Sequence, residues 1–196
     1  MSAGSQKFEF SPENVARAEA HIAKYPEGRQ ASAVLPLLDL AQRQNGGWVS
    51  RGAMTYIADM LGMAEIRVYE VATFYTMVNL QPVGKYLIQL CRTTPCWLCG
   101  SDDLRDACKD VLGIGVGEST ADGMFTLVEV ECLGACVNAP MVQINDDFYE
   151  DLSAGRMKEI LDMLRHGEQP PTGSQTGRQT SAPITGATTL TDVGSA

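Results

Sequence analysis

Apolar residues along this chain recur first with a helical period and then with a strand period, and the change falls at Pro82-Val83-Gly84. Upstream, Ser11-Pro12-Glu13 offers an N-cap, a proline at the first helical position and an acid in the first turn. Val15, Ala18 and Ile22 then share a face, so a helix should end near Tyr25-Pro26. A second apolar stretch, Val34 to Ala41, reads as a helix stopped by Asn45-Gly46-Gly47, with Pro36 marking an early kink or a start near Leu35. A third helix is expected from Ser50 to Leu61, with Gly62 as stop. The fourth runs from Ala64 through Tyr75 and should turn Ile66, Tyr69 and Phe74 inward. Residues 11–80 therefore predict a helical bundle behind a flexible N-terminal arm, residues 1–10.

Downstream the order is strand, helix, strand, strand, strand, helix, an α/β unit over residues 81–167. Lys85-Tyr86-Leu87-Ile88-Gln89-Leu90 and Phe125-Thr126-Leu127-Val128-Glu129-Val130 read as strands that could lie side by side. Between them, Ser101 is the expected N-cap of a helix that buries Leu104, Ala107, Cys108, Val111 and Leu112 and ends at Gly113. Met141 to Ile144 and Phe148-Tyr149 predict a hairpin around Asn145-Asp146-Asp147. Ser153 caps a last helix that buries Met157, Ile160, Leu161 and Leu164. Residues 168–196 turn to Gly, Pro, Ser and Thr, with Ile184, Leu190 and Val193 isolated, and the free tail is expected to be disordered.

With 196 residues and 44% hydrophobic content, the chain can bury one core domain with additions. A net charge of −9 opposes binding to nucleic acid or anionic lipid, because phosphate affinity comes from clustered Lys and Arg. No stretch suits a membrane span, and Met1 to Lys7 lacks a secretory or transit pattern, so a cytosolic or matrix-type protein is expected. In such a compartment six cysteines read as ligands and core thiols rather than disulfides.

Chemistry concentrates in two pairs, Cys91-x4-Cys96 and Cys132-x3-Cys136, each where a strand runs out into a loop. Cys96-Trp97-Leu98-Cys99 also has the spacing of a dithiol redox pair, yet such a pair gives no reason for Cys132 and Cys136. Structural zinc would accept four thiolates but usually draws on C-x-x-C knuckles. An iron–sulfur cluster fits best, zinc and thiol chemistry staying open, and two ligands on each of two loops suit a 2Fe-2S core. Glu129 and Glu131 beside Cys132 would push a reduction potential downward. Cys108 falls on a buried helix face and reads as an inert core thiol, and His21 and His166 as surface residues. Ile57 to Tyr69 has the rhythm of a helix-turn-helix, but Glu65 and Glu70 outnumber Arg67 on the would-be reading helix. Gly113-x-Gly115-x-Gly117 lacks both the spacing and the preceding strand of a dinucleotide site.

Ala72-Thr73-Phe74-Tyr75, Pro82-Val83-Gly84-Lys85, Cys91-Arg92-Thr93-Thr94-Pro95-Cys96 and Val130 to Pro140 together resemble the thioredoxin-like 2Fe-2S ferredoxin subunits of NADH:quinone oxidoreductase, respiratory complex I. Gly177-Arg178 and Thr188 to Thr191 are similar to its mitochondrial and α-proteobacterial branch. The resemblance implies a helical bundle followed by a thioredoxin-like domain, with Cys91, Cys96, Cys132 and Cys136 as cluster ligands. It also implies a docked partner that binds FMN and NADH, the rest of a peripheral arm, and a place on the cytoplasmic face of a bacterial inner membrane or the matrix side of a mitochondrial one. Cys99 departs from the expected pattern, but the Cys91-x4-Cys96 spacing keeps Cys96 as the ligand. The nearest rival is the diaphorase subunit of an NAD-linked hydrogenase or formate dehydrogenase; a zinc-stabilised interaction module and a thiol oxidoreductase are rivals of other classes. Main-chain N–H groups of the two Cys loops should donate to sulfur, with Gly134 and Ala135 small enough for close approach.

Overall fold

The computed structural model describes residues 7–186 and Thr189, which divide into two compact units, one up to Val83 and one from Gly84. Leu190 and Val193 of the expected tail, and residues 1–6 of the expected arm, lie outside the described residues.

The first unit is helical: α1 (Pro12–Ile22), α2 (Val34–Gln44), α3 (Arg51–Leu61) and α4 (Glu65–Phe74), with a 3-10 turn (Gln30–Ala33) leading into α2. Ser11 accepts from the Asn14 N–H and Ser50 from the Ala53 N–H, so both expected N-caps form. Pro36 sits in the first turn of α2, where its missing N–H costs nothing. Leu37, Leu38, Leu40, Ala53, Ile57, Val68 and Ala72 make the core. Phe8 and Phe10 are not part of a free arm; both pack edge-on against Tyr56, at 5.9 and 5.5 Å between ring centroids.

The α4 face is the reverse of the one expected. Val68 and Ala72 are buried, whereas Ile66, Tyr69 and Phe74 are 59%, 47% and 77% exposed. Close packing of α4 on its neighbours selects the smaller residues at i and i+4, and the bulky ones are left outside.

In the second unit a six-stranded sheet runs in the order β2-β3-β1-β4-β5-β6. The strands are β1 (Tyr86–Cys91), β2 (Glu118–Ser119), β3 (Phe125–Val130), β4 (Val142–Ile144), β5 (Asp147–Glu150) and β6 (Gly173–Ser174). Strands β1 and β3 are parallel neighbours, while β4 pairs antiparallel to β1 on the other side. Helices α5 (Thr94–Leu98) and α6 (Ser101–Leu112) make the crossover from β1 toward β3, and α7 (Ala154–Arg165) follows the β4–β5 hairpin. Ile88, Leu127, Leu104, Cys108, Ile160 and Leu161 share the core beneath the sheet.

Two local expectations change. Ser101 is the first residue of α6 rather than its cap, because Gly100 at φ +99 takes the cap position. The tail is ordered through the described part of its course: β6 pairs parallel to β5, matching Tyr149 with Gly173 and Glu150 with Ser174. Polar contacts rather than apolar burial hold this segment, so its composition does not announce it.

Gly84 is fixed by crowding. A Cβ there would meet the Phe125 main chain at 2.7–2.9 Å, and its N–H donates to Thr126 Oγ1 at 2.6 Å.

Candidate metal centre

Strand register brings the two cysteine pairs together. Cys91 ends β1 opposite Val130, the last residue of β3, so Cys132 emerges two residues beyond the same end of the sheet. The first pair closes on α5, which carries Cys96, and the second on a 3-10 turn (Cys136–Asn138). The Ala139-Pro140 peptide that follows is cis.

The pairs differ in surroundings. Cys91 and Cys96 are each 1% exposed, clustered with Met141 and flanked by Leu133, Ala135, Ala139 and Phe148. Cys132 and Cys136 are exposed, with their Sγ atoms 3.3 Å apart. All six cysteines are free thiols.

Donors surround the sulfurs. Thr93 Oγ1 lies 3.4 Å from Cys91 Sγ, and the same hydroxyl helps to lower the Cys132 pKa. The Gly134 N–H donates to Cys132 Sγ at 3.4 Å, while the main chains of Thr93 and Leu133 favour the thiolate of Cys91 and that of Met141 favours the thiolate of Cys96. Gly134 takes φ +87, a conformation that favours glycine, and a Cβ there would meet no protein atom within 4 Å.

These contacts split the acidities. Burial acts most on Cys91 and raises its pKa, but hydrogen bonds from Thr93, Leu133 and Cys96 outweigh it and leave the thiol more acidic than usual. Burial, reinforced by Cys91, pushes Cys96 up to about 12. The Gly134 N–H lowers Cys132, and Cys132 in turn raises Cys136. Among the described residues no three Cys, His, Asp or Glu side chains converge as a site for one metal ion would require. The four sulfurs, with the Gly134 N–H and the Thr93 hydroxyl beside them, are soft donors.

The Glu129 side chain is only 19% exposed and is paired, 3.1 Å from Arg92 and 3.9 Å from Arg105, so its charge near Cys132 is compensated. Of the remaining cysteines, Cys99 is exposed at the C-cap of α5, and Cys108 is fully buried with its thiol pushed up to about 12 by burial. His166 lies on Asp162 and His21 on Lys24, both far along the chain from the thiols. Spacing alone does not single out Thr93, although its place between Cys91 and Pro95 is a hydroxyl where a loop must turn back on its own sulfur.

Residues 18–165 match the thioredoxin-like 2Fe-2S ferredoxin family. The chain belongs to that family. An NADH-quinone oxidoreductase subunit from Rickettsia bellii is 58% identical over 166 residues, covering 85% of this chain and 99% of the relative. The mitochondrial NADH dehydrogenase (ubiquinone) flavoprotein 2 of Dictyostelium discoideum is 52% identical over 183 residues, 93% of this chain and 74% of that one. An air-oxidised NAD+-reducing NiFe-hydrogenase has a similar fold, with a TM-score of 0.58 at 20% identity over 66% of this chain and 23% of its own. A family named for a 2Fe-2S group agrees with the four-sulfur donor set at the end of β1 and β3.

Proposed function

We propose that this chain is the electron-transfer subunit of an NADH:quinone oxidoreductase, respiratory complex I, and that Cys91, Cys96, Cys132 and Cys136 hold its 2Fe-2S cluster. The observation that carries the reading is the placement of both cysteine pairs at the shared end of β1 and β3, with the Gly134 N–H donating to Cys132 Sγ. When bound, such a cluster supplies one-electron redox chemistry. Cys96, buried beside Cys91, is the ligand, and exposed Cys99 is a bystander. Thr93, Leu133, Gly134 and Met141 hold negative sulfur by hydrogen bonds, while Leu133, Ala135 and Phe148 keep water from the inner pair.

Hydride chemistry belongs to a flavoprotein partner that binds FMN and NADH, since this chain shows neither a dinucleotide nor a phosphate-loop pattern. Among the described residues no helix is long and apolar enough to cross a membrane, so attachment to the cytoplasmic face of the inner membrane, or its matrix equivalent, runs through other subunits of the peripheral arm. Relatives above 50% identity carry the NADH dehydrogenase names, which supports this reading over the hydrogenase-type diaphorase, whose likeness is one of fold.

Low-temperature EPR of the anaerobically purified chain, with iron, zinc and sulfide measured on the same sample, tests the proposal. A 2Fe-2S signal appearing on dithionite reduction with about two irons per chain is expected. A silent, zinc-rich sample would overturn it, and co-purification with hydrogenase subunits would replace complex I by the diaphorase alternative.

A further inference from the structure

Beyond the four thiols, the second unit contains a polar constellation that the metal site does not use. Residues 173–180 return along the sheet edge after α7 and deliver Arg178 to the outer side of the Cys136 turn. The guanidinium Nη1 donates to the Val137 carbonyl at 3.0 Å and approaches Asn138 Oδ1 at 3.4 Å. Its Nη2 lies 2.7 Å from Asp151 Oδ1, the two side chains being 9% and 4% exposed. Asp151 is held in its turn, accepting from Ser174 Oγ at 2.6 Å and donating its N–H to the Asn138 carbonyl at 2.8 Å. Asn138 Nδ2 donates to Glu150 Oε2 and to the Thr180 carbonyl, the latter at 2.8 Å.

Val137 and Asn138 directly follow Cys136 in the same 3-10 turn. The thiol side of this segment faces solvent, with Cys132, Cys136 and Val137 all exposed. Its conformation therefore depends on what grips it from behind: Arg178 holds the Val137 carbonyl, while Asp151, Glu150 and Thr180 hold Asn138. The Nε of Arg178 is buried without a partner among the described residues, so the two terminal nitrogens do the holding. A guanidinium holds the carboxylate and the carbonyl with two nitrogens at fixed spacing; an ammonium can neutralise Asp151 but offers only one nitrogen on a flexible stem.

We propose that Arg178 is a positioning residue, and that residues 173–180 form a strap holding the Cys132–Cys136 loop in ligand-bearing geometry. The inference rests on the reading that Cys132 and Cys136 bind the cluster, and it assigns the C-terminal segment a role in setting that site.

The test compares full-length wild type, Arg178→Lys and Arg178→Ala. Amide hydrogen exchange is followed in the chain without iron, and iron release to a chelator and the EPR line shape in the reconstituted chain. Arg178→Lys retains the charge facing Asp151, so its melting temperature should stay near wild type. Exchange across residues 131–138 should nevertheless rise several-fold, with faster iron release and shifted g-values. Arg178→Ala should add a loss of global stability, because the buried Asp151 carboxylate is left unpaired. Wild-type behaviour of Arg178→Lys in all three readouts would overturn the proposal and leave an ordinary ion pair. So would faster exchange spread evenly over the whole unit in both variants. A wild-type chain with no 2Fe-2S signal would sink the cluster reading, while the exchange data would still decide whether Arg178 holds the turn.

Discussion

Cys91 and Val130 stand opposite each other on the last rung of the parallel β1–β3 pair. That rung sets the level at which both loops leave the sheet, so the loops meet because the strands are in register. Within the first loop only Cys96 turns into the buried pocket; Cys99, three residues on, faces solvent. Cys96→Ser should abolish or destabilise the cluster, whereas Cys99→Ser should leave its visible absorbance intact. The reverse pattern in reconstituted protein would show the loop assignment to be wrong.

Thr93 Oγ1 lies 3.4 Å from Cys91 Sγ, and a hydrogen bond to sulfur stabilises the more negative, reduced state. Thr93→Val should therefore lower the midpoint potential, and Thr93→Ser should keep it near wild type. An EPR-monitored redox titration reads the difference; equal potentials in all three proteins would remove the hydroxyl from the account.

Two glycines are constrained for different reasons and should fail differently. Gly84→Ala forces a Cβ into the Phe125 main chain and should cost about 1–3 kcal/mol or more in urea denaturation, whatever its effect on iron. Gly134→Ala has room but the wrong sign of φ, a strain of about 1–2 kcal/mol placed in the ligand loop itself. Its main symptom should be poor iron retention in a chain that still folds.

Cys108 gives a pH signature. Folded, its thiol keeps its proton until about 12; unfolded, it releases the proton near the ordinary thiol value of 9.0. Between those values the unfolded chain binds fewer protons than the native one, so stability falls as pH rises, by about 1.4 kcal/mol per unit from this residue. Comparing Cys108→Ala with wild type by denaturant melts at about pH 8.5 and 10 should show the variant losing less. In native protein at about pH 8, iodoacetamide should label Cys99 and spare Cys108.

On α4, Ile66 and Phe74 stand outside the fold that their hydrophobicity suggests they stabilise. Replacing each with Ser should change the stability of the isolated chain by no more than about 0.5 kcal/mol. A partner docked on this face would lose hold, so recovery of the flavoprotein in pull-downs should fall. Unchanged recovery would place that contact elsewhere.

Elements whose period and caps agree are legible from sequence. Strand β3 spans the expected residues, and all four apolar positions expected inside α7 are buried. Misreadings arise where size or polarity points the wrong way. On α4, hydrophobicity favours the large residues, but close helix contact needs Val68 and Ala72. In the tail, a composition poor in apolar residues hides an ordered segment, because Arg178, Asp151 and Asn138 hold it by hydrogen bonds between residues distant in sequence. The four thiols are visible from spacing, whereas the contacts of Thr93 with Cys91 and of Arg178 with the Val137 carbonyl become apparent only in the folded chain.

The order in which the chain is made follows from where Arg178 lies. Cys91 and Cys96 leave the ribosome well before Cys132, and the residue gripping the second loop is synthesised later still. Non-local closure of this kind cannot precede the residues it joins. A nascent chain therefore presents two lone thiols that could capture stray metal, then two more on a loop with nothing behind it. On the proposed ligand assignment, iron and sulfide should thus be accepted by a polypeptide already made past the strap, with emergence of Arg178 rather than of Cys136 completing the site.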